Sequence, residues 1–540
     1  MFDFKGILNL YSQLEKRYSQ NKQLIPKSLF LESKIGLEKE SLRVSPSGSI
    51  SQTPHPATLG SALLHPHITT DYSEALLEFV TPPCQSHEQL LSFLTNCQTF
   101  VYEELGDEFL WASSMPCVVS GEPSIPIAEY GKSNLGKMKT VYRRGLGHRY
   151  GRMMQVIAGI HFNYSFSPSY WQHFQDICEI RDEHQVFVSE SYFNLIRNFQ
   201  RFGWLIPYLF GASPAVCKSF LNGMETDMAE FNENTYYHPF ATSLRMSDIG
   251  YQNSKEDKSG IKVNYDDVNR YVESLRHAIT TLHQPFAEMG VLVNGEYEQL
   301  NANLLQIENE YYSTVRPKQI IQRMEMPINA LRSRGVEYIE LRSLDIDVFE
   351  PCGINDKALY FLESFMMFCL YCDSPPISES EHQQISQNIL EVAQRGREPD
   401  LALQRGDEKI LLKDWANEIF EHMRGAAEIL DQNNSEAKFS SSLAYYKTLV
   451  DDPDLTPSAR MLAEMSQNNE GFFHFSLRKS KEHLAYFKDL DISSEQRQFF
   501  RNLSRESIEN QRKLEDSDEL NFDDFLAQYF KQSMESSNAM

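Results

Sequence analysis

Two periodicities divide the chain. From about residue 31 to 166, and again near 291–308 and 335–344, apolar residues recur at alternate positions in short runs. Loops rich in Pro, Gly and Ser, such as Ser45-Pro46-Ser47-Gly48-Ser49, separate these runs, as expected of strands. Helical spacing predicts a helix over about 1–30, helices over 187–232 that include Phe193-Asn194-Leu195-Ile196-Arg197 and Trp204–Phe210, and another over about 264–289. Beyond residue 355 helical spacing continues to the end, with breaks at Pro375-Pro376 and 451–457. No internal repeat is present, and the acidic stretch around 515–524 reads as a solvated helix and its flank. Mixed strands first and helices last predict an α+β fold.

Several of the strand-like runs carry charge on one face. In Gly36-Leu37-Glu38-Lys39-Glu40-Ser41-Leu42-Arg43-Val44, residues two apart share a face, so Glu38 and Glu40 point the same way. Burying two adjacent carboxylates is costly by several kcal/mol unless cations neutralise them. A second run, 69–82, contains Asp71, Tyr72 and Glu78. In 156–166, Val156, Ala158, Ile160, Phe162, Tyr164 and Phe166 form an apolar face opposite Gly159, His161, Asn163 and Ser165. Tyr338, Glu340 and Arg342 share one side of a further strand. Taken together, Glu38, Glu40, Glu78 and Glu340 with His161 and Arg342 can line one cleft. Hard oxygen ligands suit Mg²⁺ or Mn²⁺ shared with substrate phosphates. Each run alone also fits a solvated strand face, and an exposed Glu340–Arg342 pair contributes under about 1 kcal/mol. The metal reading rests on the agreement among runs.

Composition narrows the classes. The 540 residues are 41% hydrophobic and 23% charged, as in an ordinary folded protein. A net charge of −24 without any Lys/Arg-rich tract argues against nonspecific nucleic-acid binding. An anionic nucleotide would have to be received by local arginines and metal ions. The N-terminus lacks the basic start and apolar core of a signal peptide, and the longest apolar stretch, Phe365–Cys372, is too short to span a bilayer. The expectation is a cytoplasmic protein with no membrane partner. The eight cysteines are thinly spread and read as reduced, mostly buried thiols; Cys369 and Cys372 form a CxxC inside an apolar helical pattern. Gly131-Lys132-Ser133 mimics the end of a phosphate-binding loop, but Pro126 stands where that motif needs Gly and no apolar strand leads into it.

These segments closely resemble the proteobacterial type of glutamate–cysteine ligase (γ-glutamylcysteine synthetase). The likeness covers most of 30–350 and extends weakly through 451–462. It includes 198–214, Thr242–Tyr251, Leu305–Glu310 and Glu337–Asp347 in the same order. The resemblance implies a curved antiparallel sheet of the glutamine-synthetase-like kind with a large helical surround, the active-site groups on its concave face and a helical C-terminal region. The expected division is a catalytic domain over 1–375 and a helical region over 376–540 packed on it. The resemblance assigns Glu38, Glu40, Glu78, His161 and Glu340 to metal binding and Arg342 to the transferring phosphoryl group. It assigns Arg143 and Arg245 to substrate-carboxylate or phosphate contacts, and Tyr142, Tyr251 and Tyr312 to the cysteine pocket. Tyr72 falls in that pocket at a position where the family commonly has Phe. Without the family, the tyrosines read equally as core aromatics and the two arginines as surface residues.

The activity implied is ATP-dependent joining of the γ-carboxylate of L-glutamate to the amine of L-cysteine through a γ-glutamyl phosphate, the first step of glutathione biosynthesis. Its expected cofactor is Mg²⁺, with Mn²⁺ as the alternative, and ATP is a co-substrate. Feedback inhibition by glutathione is implied as well. Two other readings stay open at this stage: a ligase on the same fold that uses another amine, and a noncatalytic homologue that binds nucleotide or amino acid. Loss of a metal carboxylate or of the arginine would mark the latter, and all are present.

Overall fold

The computed structural model describes residues 10–26, 29, 32–116, 119–250, 261–433 and 436–535. Its centre is a seven-stranded, wholly antiparallel sheet. The strands are β1 (Lys34–Val44), β2 (Ile68–Thr70), β3 (Leu76–Val80), β4 (Phe109–Leu110), β5 (Ile160–Ser165), β6 (Val315–Lys318) and β7 (Tyr338–Leu344). The spatial order is β6-β7-β5-β1-β3-β2, with β4 paired to the far end of β1. Period-two alternation gives the sheet two unlike faces. Leu37, Phe79, Phe162, Leu341 and Val315 are buried on one. Glu38, Glu78, His161, Arg316 and Glu340 occupy alternate positions on the other.

Helices cover the apolar face and the sheet ends. They include α1 (Leu14–Leu24), α2 (His87–Glu104), α3 (Asn134–Tyr150), α4 (His184–Phe202), α5 (Asp356–Tyr371), α6 (Leu412–Leu430), α7 (Lys438–Asp451), α8 (Phe472–Asp489), α9 (Ser494–Asp516) and α10 (Phe522–Glu535), with others between, among them Val268–Thr280 and Glu379–Arg395. Helix α2 packs on β1 and β3, and α4 on β6. Helix α5, largely apolar from Leu359 to Leu370 apart from Ser364 and the Glu363 that pairs with His87 of α2, is buried among α2, α4, α6 and α7. The C-terminal helices close over the strand region: Ser480 of α8 accepts a hydrogen bond from the Ala112 N–H, and Ser507 of α9 accepts one from the Ser61 N–H at 2.9 Å each. Helix α10 packs on α3. Among the described residues no helix is long and apolar enough to cross a membrane.

The α+β expectation holds, and several element assignments change. The region 31–166 contains the long helices α2 and α3 as well as strands; Ser86 and Ser133 cap their first turns. The helical stretch expected to reach 232 ends at Phe210 apart from one short turn, Lys218–Leu221. Ala215–Cys217, Ala229–Asn232 and Thr235–Tyr237 form a small sheet instead. The helix expected over 264–289 is two, Val268–Thr280 and Gln284–Met289. Residues 291–308 contribute only the hairpin Leu292–Val293/Glu296–Tyr297, and Glu308–Glu310 is a 3₁₀ turn. Val156 lies in a 3₁₀ turn and β5 starts only at Ile160, because Gly159 and its neighbours turn to meet Glu40. Strand β6 was not anticipated, since Pro317 interrupts its apolar run; it is an edge strand, where a proline is tolerated. The C-terminal region also holds a hairpin, Ala402–Arg405 with Glu408–Leu411. Cys369 and Cys372 are free and buried as expected, together with Cys84, Cys97 and Cys352, and Cys178 is free at intermediate exposure. Cys217, however, is disulfide-bonded, so the expectation of thiols throughout is corrected there.

Candidate active site

Strand register brings the polar positions together. Glu40 stands opposite Glu78, Glu38 opposite His161, and Glu340 opposite Asn163. The imidazole lies among three carboxylates. Its Nδ1 is 3.1 Å from Glu38 Oε2 and 3.6 Å from Glu340 Oε1, and its Nε2 is 4.0 Å from Glu40 Oε1. Glu38, Glu78 and His161 each offer a ligand atom within 4.8 Å of the others. Asn163 Nδ2 donates to the other Glu38 oxygen at 2.9 Å and so fixes that carboxylate. Glu40 Oε2 accepts the Gly159 N–H at 2.7 Å.

The cluster is electrostatically uneven. Burial raises Glu40, while His161 and the arginines oppose it only partly. Burial, joined by the charges of Glu38, Asp71 and Glu40, pushes Glu78 well above the carboxylate range. Burial pushes Glu340 the same way, yet Lys318, Arg342, His161 and Arg316 together hold it well below that range. Burial and Glu340 act upward on Glu38, but the His161 hydrogen bond and charge hold it down. One end of the cleft, at Glu340, is thus already neutralised by protein cations, whereas the Glu40–Glu78 end is not. Carboxylate oxygens plus one imidazole, packed closely enough to raise a pKa, are a donor set that fits Mg²⁺ or Mn²⁺.

The arginines are held from behind. Arg342 NH1 donates to Glu340 Oε1 at 3.2 Å. Burial lowers its pKa, but Glu340, Tyr312, Glu40 and Glu38 hold it raised overall, so it is a permanent cation. Its buried Nε has no hydrogen-bond partner. Arg245 is almost wholly buried; its NH2 donates to the Arg342 carbonyl at 2.8 Å, and its NH1 lies 3.8 Å from Asp345. Asp345 in turn accepts from the Ala212 N–H at 2.9 Å and from the hydroxyls of Ser213 and Ser243. Gly159 lets this guanidinium approach, because a Cβ there would overlap it.

Helix α3 forms another wall. Arg143 donates to the Asp71 carbonyl through Nε, lies 3.9 Å from its carboxylate through NH2, and sits over the Tyr130 ring at 4.6 Å. Tyr142, one residue earlier, is raised by burial first and by Glu310 next. Gln306 Nε2 donates to the Tyr142 carbonyl at 3.2 Å, and Glu310 accepts from Arg149 at 2.9 Å, tying the 299–310 segment to α3. Tyr312 reaches Met246 Sδ at 3.4 Å and is surrounded by Arg245, Arg342 and Arg316. Tyr72 is buried beneath α3 with its hydroxyl against Gly147. Tyr251 lies outside the described residues.

The strand residues Glu38, Glu40, Glu78, His161, Glu340 and Arg342 therefore converge, with Arg143, Arg245 and Tyr312 around them. Sequence reasoning missed Asp71, Asp345, Lys318 and Arg316 as neighbours of this cluster, and passed over Asn163 as more than a polar-face residue. Asn163 had a visible signal, being two residues from His161 on the same face. Asp345 had none: it follows β7 and is drawn in by Ser213 and Ser243 from far along the chain.

Residues 18–392 match the sequence model of the glutamate–cysteine ligase family. The chain is 45% identical over 500 residues to a glutamate–cysteine ligase of Alcanivorax borkumensis, covering 92% of this chain and 95% of that protein. It is 46% identical over 494 residues to one of Pseudomonas putida, covering 92% and 94%. Among solved structures, the glutamate–cysteine ligase of Francisella tularensis in complex with AMP superposes with a TM-score of 0.87 at 34% identity, covering 93% of this chain and 98% of that one. A bifunctional glutathione synthetase from Pasteurella multocida gives a TM-score of 0.69 at 25% identity, with 88% of this chain matched to 55% of that one.

Proposed function

The chain belongs to the glutamate–cysteine ligase family, and from that premise we propose that it joins the γ-carboxylate of L-glutamate to the amine of L-cysteine at the expense of ATP. A carboxylate does not acylate an amine unaided near neutral pH. The γ-carboxylate oxygen of glutamate therefore takes the γ-phosphoryl group of ATP, giving γ-glutamyl phosphate and ADP. The cysteine α-amine attacks this acyl phosphate, loses a proton and expels inorganic phosphate. No nucleophilic side chain is needed.

The chain's own residues position the reactants and balance charge. Arg342 meets the oxygens of the transferring group, its orientation set by Glu340 at 3.2 Å. Arg245, braced by Asp345, supports the strand carrying Arg342 and faces the same space. Arg143 would meet a substrate carboxylate, and Tyr142, Tyr312 and Tyr72, together with Tyr251 as the family likeness implies, would line the pocket for the incoming cysteine. Mg²⁺, or Mn²⁺ in its place, would be held by Glu38, Glu40, Glu78, His161 and Glu340 and would neutralise phosphate oxygens. The catalytic unit spans 1–375, with 376–540 packed on it; the protein works in the cytoplasm and is subject to feedback inhibition by glutathione.

The observation that carries this reading is the convergence of His161 with Glu38, Glu40 and Glu340 within 4.0 Å, beside a paired arginine. It is tested by following ADP release with glutamate and a panel of amines. Cysteine must give the highest kcat/KM; a higher value for another amine would reassign the acceptor.

A further inference from the structure

We propose that Lys318 binds the non-transferring phosphates of the nucleotide, a role that rests on the reading above and fills the part of the ATP site that the arginine and carboxylates leave open. Strand β6 pairs with β7 so that Arg316 faces Glu340 and Lys318 faces Tyr338. Val315 and Pro317 are buried while Arg316 and Lys318 are only half-buried, so both cations project from the face that carries Glu340 and Arg342. The two then part. The Arg316 guanidinium turns to the backbone, donating to the Asn309 carbonyl at 3.1 Å and to the Tyr311 carbonyl, and so fixes the segment that leads to Tyr312. Lys318 turns into the cleft, its Nζ 3.3 Å from Glu340 Oε2.

The Glu340 carboxylate thus has a cation on each oxygen: Arg342 on Oε1 and Lys318 on Oε2. Glu340 is 1% exposed, whereas the Arg342 and Lys318 side chains are 19% and 31% exposed. Besides its place in the metal-binding set, the carboxylate orients these two cations, which are the more exposed groups beside it. An ammonium has three donors, and the 3.3 Å contact with Glu340 Oε2 is an ion pair rather than a hydrogen bond. A phosphoryl group over Arg342 continues into a phosphate chain that needs a further cation, and a flexible lysine suits a point contact where a planar fork would demand one geometry. The side chain lies on the edge strand, so it can follow the chain outward from Arg342.

The test is calorimetric binding of MgAMP-PNP and of AMP to the full-length protein and to Lys318→Met. A charge-assisted hydrogen bond contributes about 1.5–3 kcal/mol, so MgAMP-PNP should bind about 10–100-fold more weakly to the variant. AMP, which lacks the outer phosphates, should bind within about twofold of wild type. Lys318→Arg, which keeps the charge but imposes the planar fork, should recover only part of the lost affinity, and Lys318→Gln, which keeps a polar chain without the charge, carries the test with the same expected losses if the methionine variant does not fold. Equal binding of MgAMP-PNP to wild type and Lys318→Met would overturn the assignment, as would an equal loss for AMP, which would make Lys318 a brace for the site as a whole. Failure of the wild-type protein to form γ-glutamylcysteine would instead sink the reading of function, which these binding data do not touch.

Discussion

Asn163 of β5 donates a hydrogen bond to Glu38 of β1 across the strand pair, at 2.9 Å, and leaves the second Glu38 oxygen to His161. One residue thus sets the orientation of the carboxylate most closely bound to the imidazole. Outer-sphere partners of this kind hold ligands in place, and their loss typically weakens metal affinity 10–100-fold. Asn163→Ala should therefore raise the Mg²⁺ concentration for half-maximal activity by roughly that factor while leaving the unfolding midpoint almost unchanged. Titration of activity with Mg²⁺ checks it; an unchanged half-maximal Mg²⁺ concentration would mean that Asn163 does not hold a metal ligand through Glu38.

Gly159 is the opposite case, a site defined by what must be missing. Its backbone N–H is held by Glu40, and the guanidinium of Arg245 occupies the space a Cβ would need. Arg245 cannot swing away without abandoning Asp345 and the Arg342 carbonyl. Gly159→Ala should lower stability by about 1–3 kcal/mol, as overpacking of a dense interior does. It should also reduce kcat/KM by two orders of magnitude or more, because Arg342 shares that scaffold. Thermal unfolding and steady-state kinetics give both numbers, and wild-type values in both would refute the bracing role of Arg245.

Much of this cleft was legible in the chain, and the reason is geometric. Glu38 and Glu40, His161 and Asn163, and Glu340 and Arg342 are each two residues apart, and a strand turns that spacing into a shared face. The register that makes Glu40 meet Glu78 was not legible, since it depends on pairing between distant segments. Helix α3 was hidden because its Gly-rich and basic sequence, Asn134–Tyr150, lacks a clear apolar stripe; it is held by the Ser133 cap and by the 299–310 segment. Strand β6 was hidden by Pro317, and with it went Arg316 and Lys318. Tyr72 carries a hydroxyl where the family commonly has Phe, and that hydroxyl is buried against Gly147.

Arg342 separates binding from chemistry. Lysine at this position keeps the charge but loses the fork that can hold two oxygens. If the guanidinium meets the phosphoryl group mainly in the transition state, Arg342→Lys should lower kcat far more than it raises KM for ATP. A large KM change at constant kcat would make Arg342 a substrate anchor and move the catalytic role to Arg245 or Arg143.

Asp347, just beyond β7, gives a pH signature independent of the reaction. Burial raises its carboxyl from 3.8 to about 6, Glu350 adding to the effect, while the Phe349 N–H bonds it at 3.0 Å. The folded state therefore keeps a proton that the unfolded chain releases near pH 4. Stability from this group is present below about pH 4, declines as pH rises to about 6, and stays lower above that. Asp347→Asn retains the acceptor for Phe349 and removes the ionisation. It should raise the unfolding midpoint relative to wild type at pH 7.5 more than at pH 4.5. A variant-minus-wild-type difference that is the same at both pH values, or larger at the lower, would contradict the assignment.

The central claim is that the cleft makes an acyl phosphate of glutamate and passes it to cysteine. Mass spectrometry of one reaction containing glutamate, cysteine and MgATP reads this directly when peptide and nucleotide are both identified. The account predicts γ-glutamylcysteine with one ADP and one inorganic phosphate per peptide bond. AMP and pyrophosphate in their place would establish an adenylate route and contradict it, as would ATP consumption without a γ-linked product.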